Sequence, residues 1–267
     1  MKQDIIQRNN VKVLGNGSQT MLFAHGFGCD QNMWRFIVPA FEDKYKIVLF
    51  DYVGCGKSDL TTYNEERYST LNGYAQDVLE ICDALNLKDV IYIGHSVSGM
   101  IGALASIKAP ELFSKIVFIC PSPRYINDAD YLGGFSHEEI EGLLDVMDNN
   151  FIGWASFLAP VVMKNPENPE LTAELEESFC SIDPKITKKF AEVTFFSDNR
   201  RDLEKIKTPS LILQCSDDAI APDEVGEYML QHVRGSKLKK MQATGHCPHM
   251  SNPQETIKLI EEFLIAG

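Results

Sequence analysis

Short runs of apolar and β-branched residues recur along the chain, and stretches with apolar residues at helical spacing separate them. Residues 71–85 and 97–108 show this spacing of three to four. Strands and helices that alternate in this way predict an α/β fold, with a mostly parallel central sheet flanked by helices. The runs that predict strands lie at residues 20–24, 46–50, 90–93, 115–119, 210–214 and 238–241.

The alternation stops between residues 121 and 201, where the pattern is helical and contains no strand-like run. Such runs resume after Thr208, so the sheet must be completed from both sides of this segment. We therefore expect residues 1–120 and 202–267 to form one core, with residues 121–201 inserted as a four-helix lid. A separate helical domain is the alternative. The four predicted helices lie at residues 137–147, 151–163, 170–179 and 184–196, with proline and Asn/Asp clusters between them.

The segment VIYIGHSVSGMIGALAS, residues 90–106, contains a β-branched run, a tight turn and then small and apolar residues at helical spacing. It is identified as the nucleophile elbow of an α/β-hydrolase, in which a serine stands on a sharp turn between a strand and a helix. Ser96 is the candidate nucleophile, and an ordinary helix N-cap is the alternative. The usual pattern is G-x-S-x-G, whereas Ser98 stands here at the second glycine position. Serine is among the smallest replacements for that glycine.

Position along the chain selects the general base among the six histidines. In α/β-hydrolases the catalytic triad follows the order Ser, Asp or Glu, His. His246 lies after the last strand-like run and before a predicted C-terminal helix, which suits a base whose Nε2 accepts the proton of the serine. His249 is the alternative. We expect His25 and His95 to have structural roles.

The strand-like run at 210–214 brings two adjacent carboxylates, Asp217 and Asp218, to the edge of the sheet where the base is expected. An acid four residues before a proline is typical of hydrolase acid loops. Asp218 is therefore favoured, and Asp217 is expected to be a turn residue or a helix cap. The oxyanion hole needs two backbone N–H donors. We expect them to be Val97, which follows the nucleophile, and Phe27 in the loop FAHGFGCDQNMW.

Aromatic residues of the predicted lid could line a closed apolar pocket above the nucleophile, together with Phe27. Plain core packing is the alternative for each of them. A lid must bury its inner face, and the catalytic edge of the sheet is the surface available to it. A small to medium-sized, apolar and neutral substrate is therefore expected. The candidate pocket residues are Tyr125, Phe135, Trp154, Phe157, Phe195 and Phe196.

The composition narrows the possible partners. The 267 residues are 44% hydrophobic and carry a net charge of -13, which disfavours binding to nucleic acid or to an anionic membrane surface. The stretch DYVGCGKSD contains G-K-S, but Asp51 stands where a phosphate-binding loop needs glycine. No nucleotide, metal or other cofactor is expected.

The N-terminal region lacks an apolar signal segment, and the seven cysteines show neither disulfide nor metal spacing, so the protein is expected to be cytoplasmic.

The resemblance to known proteins extends beyond the single motifs. The runs that carry it are FAHGFGCDQNMW, LFDYVGCGKSD, GHSVSGMIG, PSPRYINDADYLGGF, FFSDNR, LQCSDDAIAP and GHCPHMSNPQET. They resemble the RsbQ-like α/β-hydrolases of bacterial stress signalling and also the plant strigolactone and karrikin receptors. The likeness covers nearly the whole chain, including the predicted lid. At the second glycine position of the elbow, Ser98 matches the plant receptors rather than the bacterial protein.

The resemblance implies a serine hydrolase that works as a sensor. Such a protein binds or turns over a small hydrophobic compound and acts on a PAS-domain serine phosphatase of the general stress pathway. A metabolic carboxylesterase with the same triad and no protein partner is the first alternative. A ligand-binding module with little turnover is the second, although an intact Ser, Asp and His set argues against it.

Overall fold

The computed structural model describes residues 2–265, so residues 1, 266 and 267 at the outer ends of the predicted core lie outside the described residues. Within that range, seven strands form one sheet. They are β1 Lys12–Leu14, β2 Thr20–Ala24, β3 Lys46–Leu49, β4 Val90–His95, β5 Phe113–Ile119, β6 Ser210–Ser216 and β7 Lys237–Thr244. Their order across the sheet is β1-β3-β2-β4-β5-β6-β7. Only β1 runs antiparallel to its neighbour, so the predicted mostly parallel sheet is confirmed.

All six predicted strands are present, and β1 is an additional strand that the pattern did not predict. Its three residues are all exposed, so they show no alternation of apolar and polar positions. Backbone pairing with β3 holds it at the edge of the sheet, with Val13 opposite Val48. The strand therefore depends on its neighbour rather than on burial of its own side chains.

Helices cover both faces of the sheet. They are α1 Lys2–Arg8, α2 Leu71–Ala84, α3 Val97–Lys108, α4 His137–Asn149, α5 Phe151–Met163, α6 Pro169–Cys180, α7 Pro184–Phe195, α8 Asp223–His232, α9 Pro248–Ser251 and α10 Pro253–Ile265. The sequence predicted α2 to α7 and α10, whereas α1, α8 and α9 were not predicted. The polar helix α8 buries only Val225, Gly226 and Met229, which leaves a weak periodic signal. Within residues 2–265, no helix combines the length and apolar character needed to cross a bilayer.

Four of these helices, α4 to α7, lie in sequence between two strands that are direct neighbours. Ile119 of β5 pairs with Leu213 of β6, so the chain leaves the sheet and returns to the adjacent position. Local signals fix where these helices begin. The Ser136 hydroxyl accepts the N–H of Glu139, and the Glu139 carboxylate accepts the N–H of Ser136, which forms a capping box before α4. Prolines occupy the first positions of α6 and α7, where a missing N–H costs nothing.

The sheet is buried on both faces. In β2, Met21 and Phe23 belong to one apolar cluster, and Leu22 and Ala24 belong to a second. Because successive side chains of a strand point to opposite sides, the two clusters lie on opposite faces of the sheet. The first cluster includes residues of α4, α5, α6 and α10, and the second includes residues of α2 and α3. This two-sided cover leaves the carboxyl edge of the parallel strands as the place for a site.

Candidate active site

Ser96 stands on the turn between β4 and α3. Its backbone has φ 55 and ψ -125, a conformation that L-residues rarely adopt and that is found at strained functional turns. Its N–H donates to the carbonyl of Ile119 at 2.8 Å, which fixes the turn to the neighbouring strand β5. The Ser96 side chain makes no capping bond to α3. The N-cap alternative therefore does not explain this serine, and its hydroxyl remains available for chemistry.

The side chains of Ser96, His246 and Asp218 form one hydrogen-bonded chain. His246 Nε2 lies 2.8 Å from Ser96 Oγ, and His246 Nδ1 lies 2.7 Å from Asp218 Oδ2. The other carboxylate oxygen of Asp218 accepts the N–H groups of Ile220 at 2.8 Å and Ala221 at 3.2 Å. Because the carboxylate can only accept, Nδ1 carries the proton and the Nε2 lone pair faces the serine. This is the arrangement that a serine nucleophile requires.

The neighbouring acid has a different environment. Asp217 has φ 55, and its side chain is 66% exposed. It forms an ion pair with Lys164 at 2.6 Å. The structure therefore brings Asp218, and not Asp217, to His246, and Asp217 is a turn residue.

Three further histidines surround the triad without belonging to it. His95 Nε2 donates to the carbonyl of His246 at 2.7 Å and so holds the backbone of the base. His25 donates through Nδ1 to the carbonyl of Gly26 and accepts the N–H of Tyr52 at Nε2. His249 is fully buried, and its ring nitrogens have no partner among the described residues. Burial lowers the pKa of His249 to about 3 and lowers the pKa values of His25 and His95 as well, so all three stay neutral.

The loop after β2 approaches the elbow closely at Gly26. A Cβ at this position would lie 2.4 Å from His95 Nδ1 and 3.4 Å from Ser96 Cβ, so only glycine fits. Phe27 follows this close approach. Val97 is the first residue of α3, and its backbone N–H therefore has no acceptor within the helix. Both predicted oxyanion donors thus belong to segments that adjoin the nucleophile, and their role stays a prediction.

The serine at the second glycine position of the elbow takes part in a buried network. Ser98 Oγ donates to the carbonyl of His25, and Tyr52 Oη lies 2.9 Å from Ser98 Oγ. Tyr92 Oη donates to the carbonyl of Ser98 at 2.9 Å. The network ties the elbow to the end of β2, from which the oxyanion loop departs. Sequence reasoning treated Ser98 only as a tolerated replacement and missed the bonds of its hydroxyl, because His25 and Tyr52 are far from it in sequence.

A cavity of about 30 Å³ opens beside Ser96 and is mostly apolar. Two predicted pocket residues, Tyr125 and Phe195, line it together with Phe27. Trp154 is buried and packs on Phe27 at 6.2 Å, and Phe135 packs on Phe195 at 6.4 Å, but neither lines the cavity. The residues that sequence reasoning missed are Cys29, Leu158, Val162, Leu175, Phe179, Thr194, Ile220 and Cys247.

Two of the predicted pocket residues that do not line the cavity lie at the surface instead. Phe157 is 65% exposed and Phe196 is 40% exposed, and neither lines the cavity. On α5, the side chains at 154, 158 and 162 recur every four residues and share the inner face, so Phe157 lies on another face. Phe196 follows the end of α7 and stacks on His137 with ring centres 5.2 Å apart. Both Leu158 and Phe157 are apolar, so the packing of α5 against its neighbours, and not the sequence pattern, separates the two residues.

The thiol of Cys120 lies beside the triad. The ligand atoms of Cys120, Asp218 and His246 lie within 4.8 Å of one another. The residues fit a metal ion poorly, because His246 and Asp218 already satisfy each other and burial raises the pKa of the Cys120 thiol well above its usual value. Cys120 Sγ instead contacts Cys215 Sγ at 3.4 Å.

Comparison with known proteins shows the family to which the chain belongs. Residues 19–143 match the family model described as alpha/beta hydrolase fold. The chain is 40% identical to Karrikin insensitive 2 receptor CA of Petunia hybrida, over 95% of this chain and 94% of the receptor. It is 36% identical to Strigolactone esterase D14 of Arabidopsis thaliana, over 98% of each chain. The solved structure of a hydrolase from Oleispira antarctica matches with a TM-score of 0.97 and 48% identity, over 100% of this chain and 98% of that one. The chain therefore belongs to the α/β-hydrolase family and is close to the plant strigolactone and karrikin receptors.

Proposed function

We propose that this α/β-hydrolase cleaves small hydrophobic esters or lactones through an acyl intermediate on Ser96. The observation that carries the proposal is the continuous hydrogen-bonded chain from Ser96 through His246 to Asp218, with both bonds shorter than 3 Å. A serine hydroxyl is a weak nucleophile by itself, and an adjacent base that is oriented by a carboxylate activates it.

The roles of the residues follow from this geometry. Ser96 Oγ attacks the substrate carbonyl while His246 Nε2 accepts its proton, and the Asp218 carboxylate stabilises the imidazolium that forms. The N–H groups of Phe27 and Val97 hold the oxyanion of the tetrahedral intermediate. His246 then gives its proton to the departing alcohol. A water molecule, activated by the same histidine, hydrolyses the acyl group from Ser96.

The cavity supports a compact apolar substrate. A volume of about 30 Å³ accommodates roughly two water molecules. An ester therefore enters only if the cover over Ser96 moves, and we propose that residues 121–201 act as this lid over a core of residues 1–120 and 202–267. Phe27 joins the oxyanion loop to that segment, because its ring packs against rings on three helices, at Trp154, Phe179, Phe190 and Phe195.

A finer role as an RsbQ-like regulator is also a proposal. The motif resemblance supports it, as do the plant relatives described as receptors. It requires that ligand occupancy of the pocket change the affinity for a PAS-domain serine phosphatase, and that the protein act in the cytoplasm. A metabolic carboxylesterase differs in needing rapid product release and no partner. The rate of deacylation therefore separates the two functions.

The test is pre-steady-state release of nitrophenol from p-nitrophenyl acetate. We expect the intact protein to give a burst equal to the enzyme concentration and to carry an acetyl group on Ser96 by mass spectrometry. Ser96→Ala should give neither. Ser106→Ala is the matched control, because the hydroxyl of this buried serine bonds to the carbonyl of Ala103 within the same helix α3. Hydrolysis that persists in Ser96→Ala would overturn the proposal, whereas slow steady-state turnover after the burst favours a sensor and rapid turnover favours a metabolic esterase.

A further inference from the structure

Thr194 presents a buried hydroxyl without a partner. The residue is 1% exposed, and its Oγ1 forms no hydrogen bond with any described residue. A threonine in a helix commonly donates to the carbonyl four residues earlier. Thr187, one turn from the start of the same helix α7, does this and bonds to the carbonyl of Asp183 at 2.8 Å. Burial of a hydroxyl without a hydrogen bond costs free energy, so the hydroxyl at residue 194 calls for a partner other than the described residues.

The position of Thr194 indicates what that partner is. Thr194 lines the cavity beside Ser96, where most of the other lining residues are apolar or carry sulfur. Ser96 and His246 have protein partners, and His95 bonds through Nε2, whereas its Nδ1 lies beside Gly26 and has no hydrogen-bond partner among the described residues. The Thr194 hydroxyl therefore has no hydrogen-bond partner among the described residues and can bond to a molecule that enters the cavity.

A second hydroxyl in the cavity is only weakly engaged. Tyr125 Oη lies 3.4 Å from Ser96 Oγ, which is longer than an ordinary O–H···O hydrogen bond. Tyr125 is fully buried, and burial raises its pKa, so the phenol keeps its proton and can donate. The ring of Phe195, which follows Thr194 in α7, packs edge-on against the Tyr125 ring at 5.3 Å. The same contact holds the two hydroxyl-bearing segments together at one cavity.

We propose that the hydroxyls of Thr194 and Tyr125 form a polar subsite for an oxygen atom that the substrate carries in addition to its reacting ester group. The inference rests on the proposed function and deepens it. The preferred substrates are compact esters or lactones with a second ether, carbonyl or hydroxyl oxygen, and plain alkyl esters of the same size bind less well. Thr194 is the residue that determines this specificity. Tyr125 also lies beside Ser96, so its replacement would affect the reaction as well as the subsite.

The experiment compares substrates that differ only by an oxygen in place of a methylene group. One pair is p-nitrophenyl methoxyacetate and p-nitrophenyl butyrate, which places the oxygen in the acyl group. The other pair is 2-methoxyethyl acetate and butyl acetate, which places it in the alcohol. For each pair, the ratio of kcat/KM is measured in the intact protein, Thr194→Val and Thr194→Ser. The two esters of a pair differ in intrinsic reactivity, but this difference is the same for every variant. A change in the ratio between variants therefore reports a change in the protein.

We expect Thr194→Val to lower the oxygen-to-methylene ratio about tenfold in at least one pair, as the loss of one hydrogen bond implies. Thr194→Ser should retain the ratio. A second readout needs no activity: Thr194→Val should raise the thermal midpoint by about 2–4 °C, because it removes a buried polar group and breaks no hydrogen bond to a described residue. The matched control Thr187→Val should lower the midpoint and leave both ratios unchanged, since that hydroxyl has a structural partner.

The outcomes separate this inference from the proposed function. Ratios that are unchanged in Thr194→Val for both pairs, or a lower midpoint in that variant, overturn the subsite even if every ester is cleaved. If the intact protein gives no acyl intermediate with any of the four esters, the proposed function fails first.

Discussion

Replacement of Asp218 by asparagine isolates the role of the carboxylate, because the two side chains have nearly the same shape. One oxygen of Asp218 accepts the Nδ1–H of His246, and the other accepts two backbone N–H groups, from Ile220 and Ala221. Asparagine has only one oxygen. If that oxygen accepts the N–H groups of Ile220 and Ala221, the amide NH₂ faces the Nδ1–H of His246, and two hydrogen-bond donors then face each other without an acceptor.

The imidazole can relieve this conflict by moving its proton from Nδ1 to Nε2. An Nε2–H cannot accept the proton of Ser96, so the variant folds but holds the base in the wrong tautomer. The same substitution in a serine protease triad lowers kcat by about 10⁴-fold. We expect a loss of that order in Asp218→Asn, which corresponds to about 5.5 kcal/mol of transition-state stabilisation.

The neighbouring residue provides the control. Asp217→Asn changes the same functional group on an exposed side chain with a left-handed backbone, a conformation that asparagine tolerates well. The assay is the burst rate and steady-state kcat with p-nitrophenyl acetate, with circular dichroism and the thermal midpoint as checks on folding. We expect Asp217→Asn to stay within a factor of about two of the intact protein. A loss below tenfold in Asp218→Asn, or an equal loss in Asp217→Asn, would refute the reasoning.

Two further predictions concern the surroundings of the triad. Gly26→Ala should lower kcat by roughly 10²-fold. The added Cβ would lie 2.4 Å from His95 Nδ1, so it must displace either the oxyanion loop or the His95 imidazole that holds His246. Steady-state kinetics measure this loss, and an unchanged kcat would contradict the close approach. His249 has a folded pKa of about 3, below its unfolded value of 6.5, so the unfolded chain binds more protons between these pH values and stability falls as the pH drops. The free energy of unfolding, measured with urea between pH 6.5 and 4.5, should therefore depend less steeply on pH in His249→Leu than in the intact protein, by about 1.2 kcal/mol per pH unit on average. Equal pH dependences would rule out a neutral buried imidazole.

The strands that carry the site could be predicted from sequence because they are buried on both faces. A strand such as β2, with five buried residues, must be apolar throughout, and that run is visible without any knowledge of its neighbours. The elbow is equally local, since its turn, its serine and its helix adjoin one another in the chain. The edge strand β1 has three exposed residues and is held by pairing alone, so no local pattern marks it.

The order of residues along the chain also indicated the acid loop and His246, because the fold brings successive strand ends to one edge of the sheet, and the proline four residues after Asp218 favoured it over Asp217. The sequence did not decide which aromatic side chains reach the cavity. Phe157 and Leu158 are adjacent and both apolar, and only the packing of α5 against its neighbours places one inside and leaves the other exposed.

The amino-acid sequence by itself thus determined the α/β architecture and indicated the candidate nucleophile and its expected partners, since each depends on local pattern or on chain order. The tertiary structure alone decided the hydrogen-bond partners of Ser98, the unpaired state of Thr194 and the inner face of α5. These features depend on contacts between residues far apart in the chain, and the hydrogen-bonding needs of a buried hydroxyl become visible only when its neighbours are known.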